Sequence, residues 1–285
     1  MDQINWKRFL KTLLKFAISG IALYIVFRNI DWVKTWSVLF SANIWYLSIA
    51  TFFFIGSKIL SALRLNLYFS SIPLKLSERY NLRLYWVGMF YNLFLPGGIG
   101  GDGYKVYLLN RQYKSRVKHL ISATLLDRIS GMIALLFLAG LGYLLLNEPP
   151  FSSLLIPVSV AGLLTIYPVF WWAGKTIFPR FSDSFWSANF YSLGVQGLQV
   201  ISAYFILISI GVEEKYLAYQ VLFLISSVVA VFPFTIGGVG ARELTFILGY
   251  QYLGISENVS VAFSLLFFLI TAVVSLIGGF LREGD

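Results

Sequence analysis

A pattern of prolines and glycines breaks this apolar chain twice. Pro96, Ile99, Gly100, Gly101, Gly103 and Lys105 recur in the same spacing as Pro233, Ile236, Gly237, Gly238, Gly240 and Arg242. Proline removes a backbone donor and stops a helix, and glycine admits backbone conformations and close approaches that other residues do not. In hydrocarbon, non-helical backbone is tolerated only where protein or a wet cavity satisfies its polar groups. A break ending in a cation, once in each half, therefore predicts a membrane domain built on a duplicated unit with one broken helix per copy.

Composition supports the membrane assignment. Apolar residues make up 58% of the chain and charged residues 12%, whereas soluble domains carry charge at about a quarter of their positions. The net charge of +9 is spread between apolar stretches rather than gathered into a basic domain, so nucleic acid is not the expected partner. With no cysteine and one histidine, disulfides, thiolate-bound metals and His/Cys zinc or haem sites are excluded; no cofactor or metal is expected. Lys7, Arg8, Lys11 and Lys15 precede an apolar run too long for a signal peptide, which reads as a first span with its N-terminus inside.

A bilayer core of about 30 Å needs roughly 20 apolar residues per helix. Six stretches qualify: about Phe9 to Phe27, Ile44 to Leu63, Leu120 to Leu146, Leu154 to Trp172, Asn189 to Ile210 and Val259 to Leu281. Around Leu84 to Leu109 and Leu217 to Leu253 the breaks leave pieces too short to cross alone. If each is a hairpin that enters and leaves on one side, sixteen Lys and Arg residues fall inside, Arg64 and Lys105 among them, against Arg28, Lys34 and Lys215 outside. The expected fold is an all-α polytopic membrane protein, with six full spans and two broken re-entrant hairpins arranged as an inverted repeat. The whole of residues 1–285 forms one membrane domain, with pseudo-repeats over about 1–147 and 153–285 and both termini cytoplasmic. Eight full spans keep the same end locations and stand as the alternative.

The candidate site residues follow from the breaks. Where helix resumes, at about Gly103 and Gly240, free N–H groups and a positive dipole end suit an anionic phosphate. Tight helix packing by small residues is the alternative for the glycines. Asp102, Lys105, Asp127, Arg128, Arg242 and Glu243 all lie in or beside apolar sequence. At roughly 2.5 to 3.5 kcal/mol per charge at the bilayer centre, they cannot all face lipid. They must pair, line a wet cavity or lie near the interface, where Lys58 is placed, snorkelling toward Arg64. Tyr85, Trp86, Tyr91 and Asn92 approach the first break.

From Asn92 through Pro96, Gly97, Gly98, Gly100, Gly101, Asp102, Gly103 and Lys105, then Asp127-Arg128, then Pro233 through Gly237, Gly238, Gly240, Arg242 and Glu243, the sequence resembles the transmembrane region of bacterial lysylphosphatidylglycerol synthases, a family that also has stand-alone, flippase-like members. The resemblance implies a bacterial or archaeal cell-membrane protein that moves a phosphate-bearing lipid, aminoacylated or polyprenyl-linked, between leaflets. It implies no synthase activity here, because the aminoacyl transfer domain is absent after Asp285, and it allows a lipid-modifying enzyme or glycosyltransferase as partner. A carrier of a small anion, a non-transporting partner of such an enzyme, and an integral transferase with Asp102 or Asp127 as base are the competing readings.

Overall fold

The computed structural model describes residues 32–94, 99–147, 149–231 and 241–281. Among these, ten α-helices carry the chain: α1 Trp32–Phe40, α2 Ile44–Ser70, α3 Glu78–Phe94, α4 Gly100–Tyr113, α5 Val117–Leu144, α6 Ser152–Ile177, α7 Phe185–Ser209, α8 Tyr216–Val231, α9 Ala241–Gly249 and α10 Glu257–Leu276. The protein is an all-α polytopic membrane protein. Five segments are long and apolar enough to cross a bilayer: α2, α5, α6, α7 with the 3₁₀ turn before it (Pro179–Ser209), and α10 with the turn after it (Glu257–Phe280). They answer to five of the six expected spans; the sixth, Phe9 to Phe27, lies outside the described residues.

The helix expected over Ile44 to Leu63 runs on to Ser70. Its polar residues beyond Leu63 do not end it, because the bundle satisfies them. Arg64 reaches Asp127 and Ser192, and the Asn66 amide donates to Glu78 Oε1 at 2.8 Å. At the other end Asn43 caps the helix, its side-chain oxygen accepting from the Trp45 N–H at 2.9 Å.

α2 and α7 run antiparallel along their length and form the most extensive pairing in the bundle. The Asn43 N–H donates to Ser209 O at 2.8 Å, the Ser202 hydroxyl to Ala50 O at 2.8 Å, and Arg64 Nη1 to Ser192 at 3.0 Å. Such close approach with interhelical hydrogen bonds is how helices associate where lipid offers no hydrophobic drive.

Each break joins two helices that pack on one another. On the first pair, Tyr80 meets Gln112, Gly88 meets Gly101 and Lys105, and Tyr91 stacks on Tyr104 at 4.2 Å, so α3 and α4 are antiparallel. On the second pair the Lys215 ammonium donates to Gly254 O at 2.6 Å while Leu222 packs on Gly249, so α9 returns along α8. At about 1.5 Å per residue these arms, of 17, 14, 16 and 9 residues, are shorter than the bilayer core. α5 separates the two ends of the bundle. Lys114, Arg116, His119 and Arg180 line one pocket at one end, and Leu146, Asn147 and Lys215 line another at the opposite end.

Candidate functional site

Charges in an apolar bundle must find partners, and most of those here meet around one cavity of about 190 Å³. Its polar wall comes from α2 (Lys58, Ser61, Arg64), α3 (Tyr85, Asn92), α4 (Asp102, Lys105), α5 (Asp127, Arg128) and α7 (Gln196, Gln199). Val231, the last residue of α8, also reaches it. The arms leading into both breaks, α3 and α8, therefore end at the same space.

Two ion-pair systems organise this wall. Arg64 Nε donates to Asp127 Oδ1 at 2.7 Å, and both side chains are almost fully buried. The pair ties α2 to α5, and the Arg64 bond to Ser192 adds α7. The second system centres on Asp102. Lys105 Nζ donates to its Oδ1 at 2.9 Å, and Arg128 Nε donates to its Oδ2. One carboxylate thus serves two cations, one from its own helix and one from α5. Lys105 Nζ also stands 4.7 Å from the centre of the Tyr85 ring, a favourable position for a cation over an aromatic face.

Asn92, Asp102, Lys105, Asp127 and Arg128 are brought together as the sequence suggests. Pro96, Gly97, Gly98, Pro233, Gly237, Gly238 and Gly240 lie outside the described residues. The structure corrects the role of the first helix start. α4 begins at Gly100 rather than Gly103, and two of its early N–H groups are occupied: Gly101 N–H donates to Asn92 Oδ1 at 2.8 Å and Gly103 N–H to Ile99 O at 3.0 Å. Those two amides are not free to meet an anion.

Gly101 has a packing role. A Cβ there would stand 1.8 Å from the carbonyl oxygen of Gly88, so the glycine is what allows α3 and α4 to touch. Gly103 has open space where its Cβ would be.

Arg242 and Glu243 separate. Consecutive helical residues point to different faces, and Glu243 turns inward, buried, accepting from the Ser264 hydroxyl at 3.0 Å. Arg242 makes no ion pair among the described residues and does not line the cavity; its guanidinium lies over the rings of Phe267 at 4.7 Å and Phe223 at 5.4 Å. One of its terminal nitrogens is buried with no hydrogen-bond partner. Among the described residues, aromatic faces rather than a carboxylate meet this guanidinium.

Lys58 and Arg64, expected at the inner interface, both line the cavity. The signal was present: Lys58, Ser61 and Arg64 follow each other at helical spacing, one polar stripe in an otherwise apolar span. The continuation of α2 to Ser70 is what moves that stripe from the end of the helix to its interior.

The family described as "Lysylphosphatidylglycerol synthase TM region" matches residues 12–279. No curated protein matches the chain significantly. With the family covering nearly the whole chain, and with the apolar helices and the charged cavity between them, the protein belongs to the lysylphosphatidylglycerol synthase TM region family, multi-pass membrane proteins associated with lipid synthesis or flipping.

Proposed function

We propose that the protein is a flippase-like transporter that moves a phosphate-bearing lipid between leaflets, rather than an enzyme that modifies it. One observation carries this reading: a cavity inside an apolar bundle is lined by four cations and two carboxylates, and the arms leading into both helix breaks end at it. Buried charges are costly unless paired or used, and an excess of one sign marks a place for the opposite sign. A lipid phosphate supplies that sign while its tails stay in hydrocarbon. The path for the headgroup runs past the first pair of arms, and the Asp102 and Asp127 ion pairs hold the cations apart until the phosphate arrives.

The test is exchange of fluorescent phospholipids between leaflets in proteoliposomes, with a proton or sodium gradient supplied. Wild-type vesicles should exceed empty vesicles, and Arg128→Gln should fall toward the empty-vesicle rate. Exchange no faster than in empty vesicles for anionic, aminoacylated and polyprenyl-phosphate lipids alike would remove the transport reading.

A further inference from the structure

We propose that this cavity selects a phosphate monoester, a headgroup carrying two negative charges, and that Lys58 is its principal ligand. The inference rests on the reading of the cavity as a lipid headgroup site and goes on to name the headgroup class. Of the six charged side chains on the wall, Arg64 is matched one to one with Asp127, and Lys105 and Arg128 share Asp102. Lys58 has no carboxylate within ion-pair distance among the described residues. Its ammonium rests 4.4 Å from the centre of the Phe54 ring, which stabilises a cation without neutralising it.

At formal charge the wall therefore has four basic side chains against two carboxylates, two more positive than negative. A phosphodiester, with one negative charge, leaves one uncompensated; a monoester above its second ionisation, near pH 6, cancels both. An aminoacylated phosphodiester such as lysylphosphatidylglycerol, with two ammonium groups against one phosphate, adds to the excess. Size points the same way. At about 190 Å³ the cavity is below the roughly 300 Å³ at which pockets for larger ligands begin, and several times the share of one water. It suits a phosphate group more than a lysyl-glycerol head.

The experiment is equilibrium binding to purified full-length protein in lipid nanodiscs at pH 7. The probes are phosphatidate and a polyprenyl monophosphate as monoesters, phosphatidylglycerol as diester, lysylphosphatidylglycerol as cationic head, and inorganic phosphate as the soluble source of the same dianion. Wild type should bind the monoester lipids about tenfold more tightly than phosphatidylglycerol, with lysylphosphatidylglycerol weakest. Lys58→Gln should erase most of that preference, Lys58→Arg should keep it, and Arg116→Gln, at the end of the bundle, should leave it unchanged. Equal binding of monoester and diester by wild type, or a preference untouched in Lys58→Gln, overturns the proposal. If Lys58→Gln does not fold, the wild-type ratio still decides the charge argument. Inorganic phosphate binding as tightly as the monoester lipids assigns the site to a soluble dianion and overturns the lipid. Because binding is measured without movement, a clear monoester preference with no leaflet exchange leaves this inference standing and removes only the transport reading.

Discussion

Asp102 and Asp127 divide the labour of keeping cations in an apolar bundle. Asp127 holds one buried guanidinium in a one-to-one pair, and breaking such a pair from one side leaves a bare charge worth about 3 to 5 kcal/mol. Asp127→Asn should therefore lower the thermal stability of the detergent-solubilised protein by that order. Arg64→Leu combined with Asp127→Leu should recover much of the loss, and a double variant no more stable than Asp127→Asn alone would contradict the pairing. The sequence made both aspartates visible, since carboxylates in apolar stretches demand a reason. It did not show their partners. Lys58 and Arg64 sit near the end of a twenty-residue apolar window, where long cationic side chains usually reach for the interface. Only a helix that continues past Arg64 and a neighbour at Asp127 reveal that they turn inward.

At the scale of helices, the short arms flanking the two proline and glycine segments were legible, because proline and paired glycines cut the apolar sequence into pieces too short to cross a bilayer alone. The use of each glycine was not. Gly101 and Gly103 are two positions apart in one motif, yet one is pressed against the Gly88 backbone and the other faces open space. Gly101→Val should force α3 from α4 and cost about 1 to 3 kcal/mol or more in a melting experiment. Gly103→Ala should be close to neutral or slightly stabilising, as alanine suits a helix better than glycine. Equal effects would show that the arms do not pack as described. The motif shares its spacing with a ligand-binding turn because both need a backbone stripped of side chains, and sequence alone does not separate the two needs.

Across the whole molecule, the long antiparallel pairing of α2 with α7 joins the two halves of the chain, as a two-fold axis in the membrane plane would do. An inverted second half makes a topological demand. The chain has no cysteine, so single cysteines report cleanly. Introduced at Lys114 and Asp183, both exposed, they should react with an impermeant maleimide only after the cell membrane is opened; at Glu213, also exposed, labelling should occur in intact cells. Labelling of all three from one side would refute the arrangement. Apolar lengths and charge asymmetry were enough to propose this topology. The meeting of the first pair of arms and the end of α8 at one cavity was not, since it depends on tertiary packing between segments far apart in the chain.

The rings around Arg242 have a further consequence. Phe267 lies under that guanidinium and packs edge-on against Phe54 at 5.6 Å, and Phe54 in turn supports the Lys58 ammonium. A continuous aromatic span thus joins a cation beside the second break to one facing the cavity, two like charges that repel across it. An anion settling on Lys58 relieves that repulsion, so Arg242 is held more comfortably when the cavity is full than when it is empty. Thermodynamic linkage makes the effect mutual: whatever rearranges Arg242 changes the grip on the anion by the same factor. Through two phenyl rings, the second break can register whether the cavity beside the first is loaded.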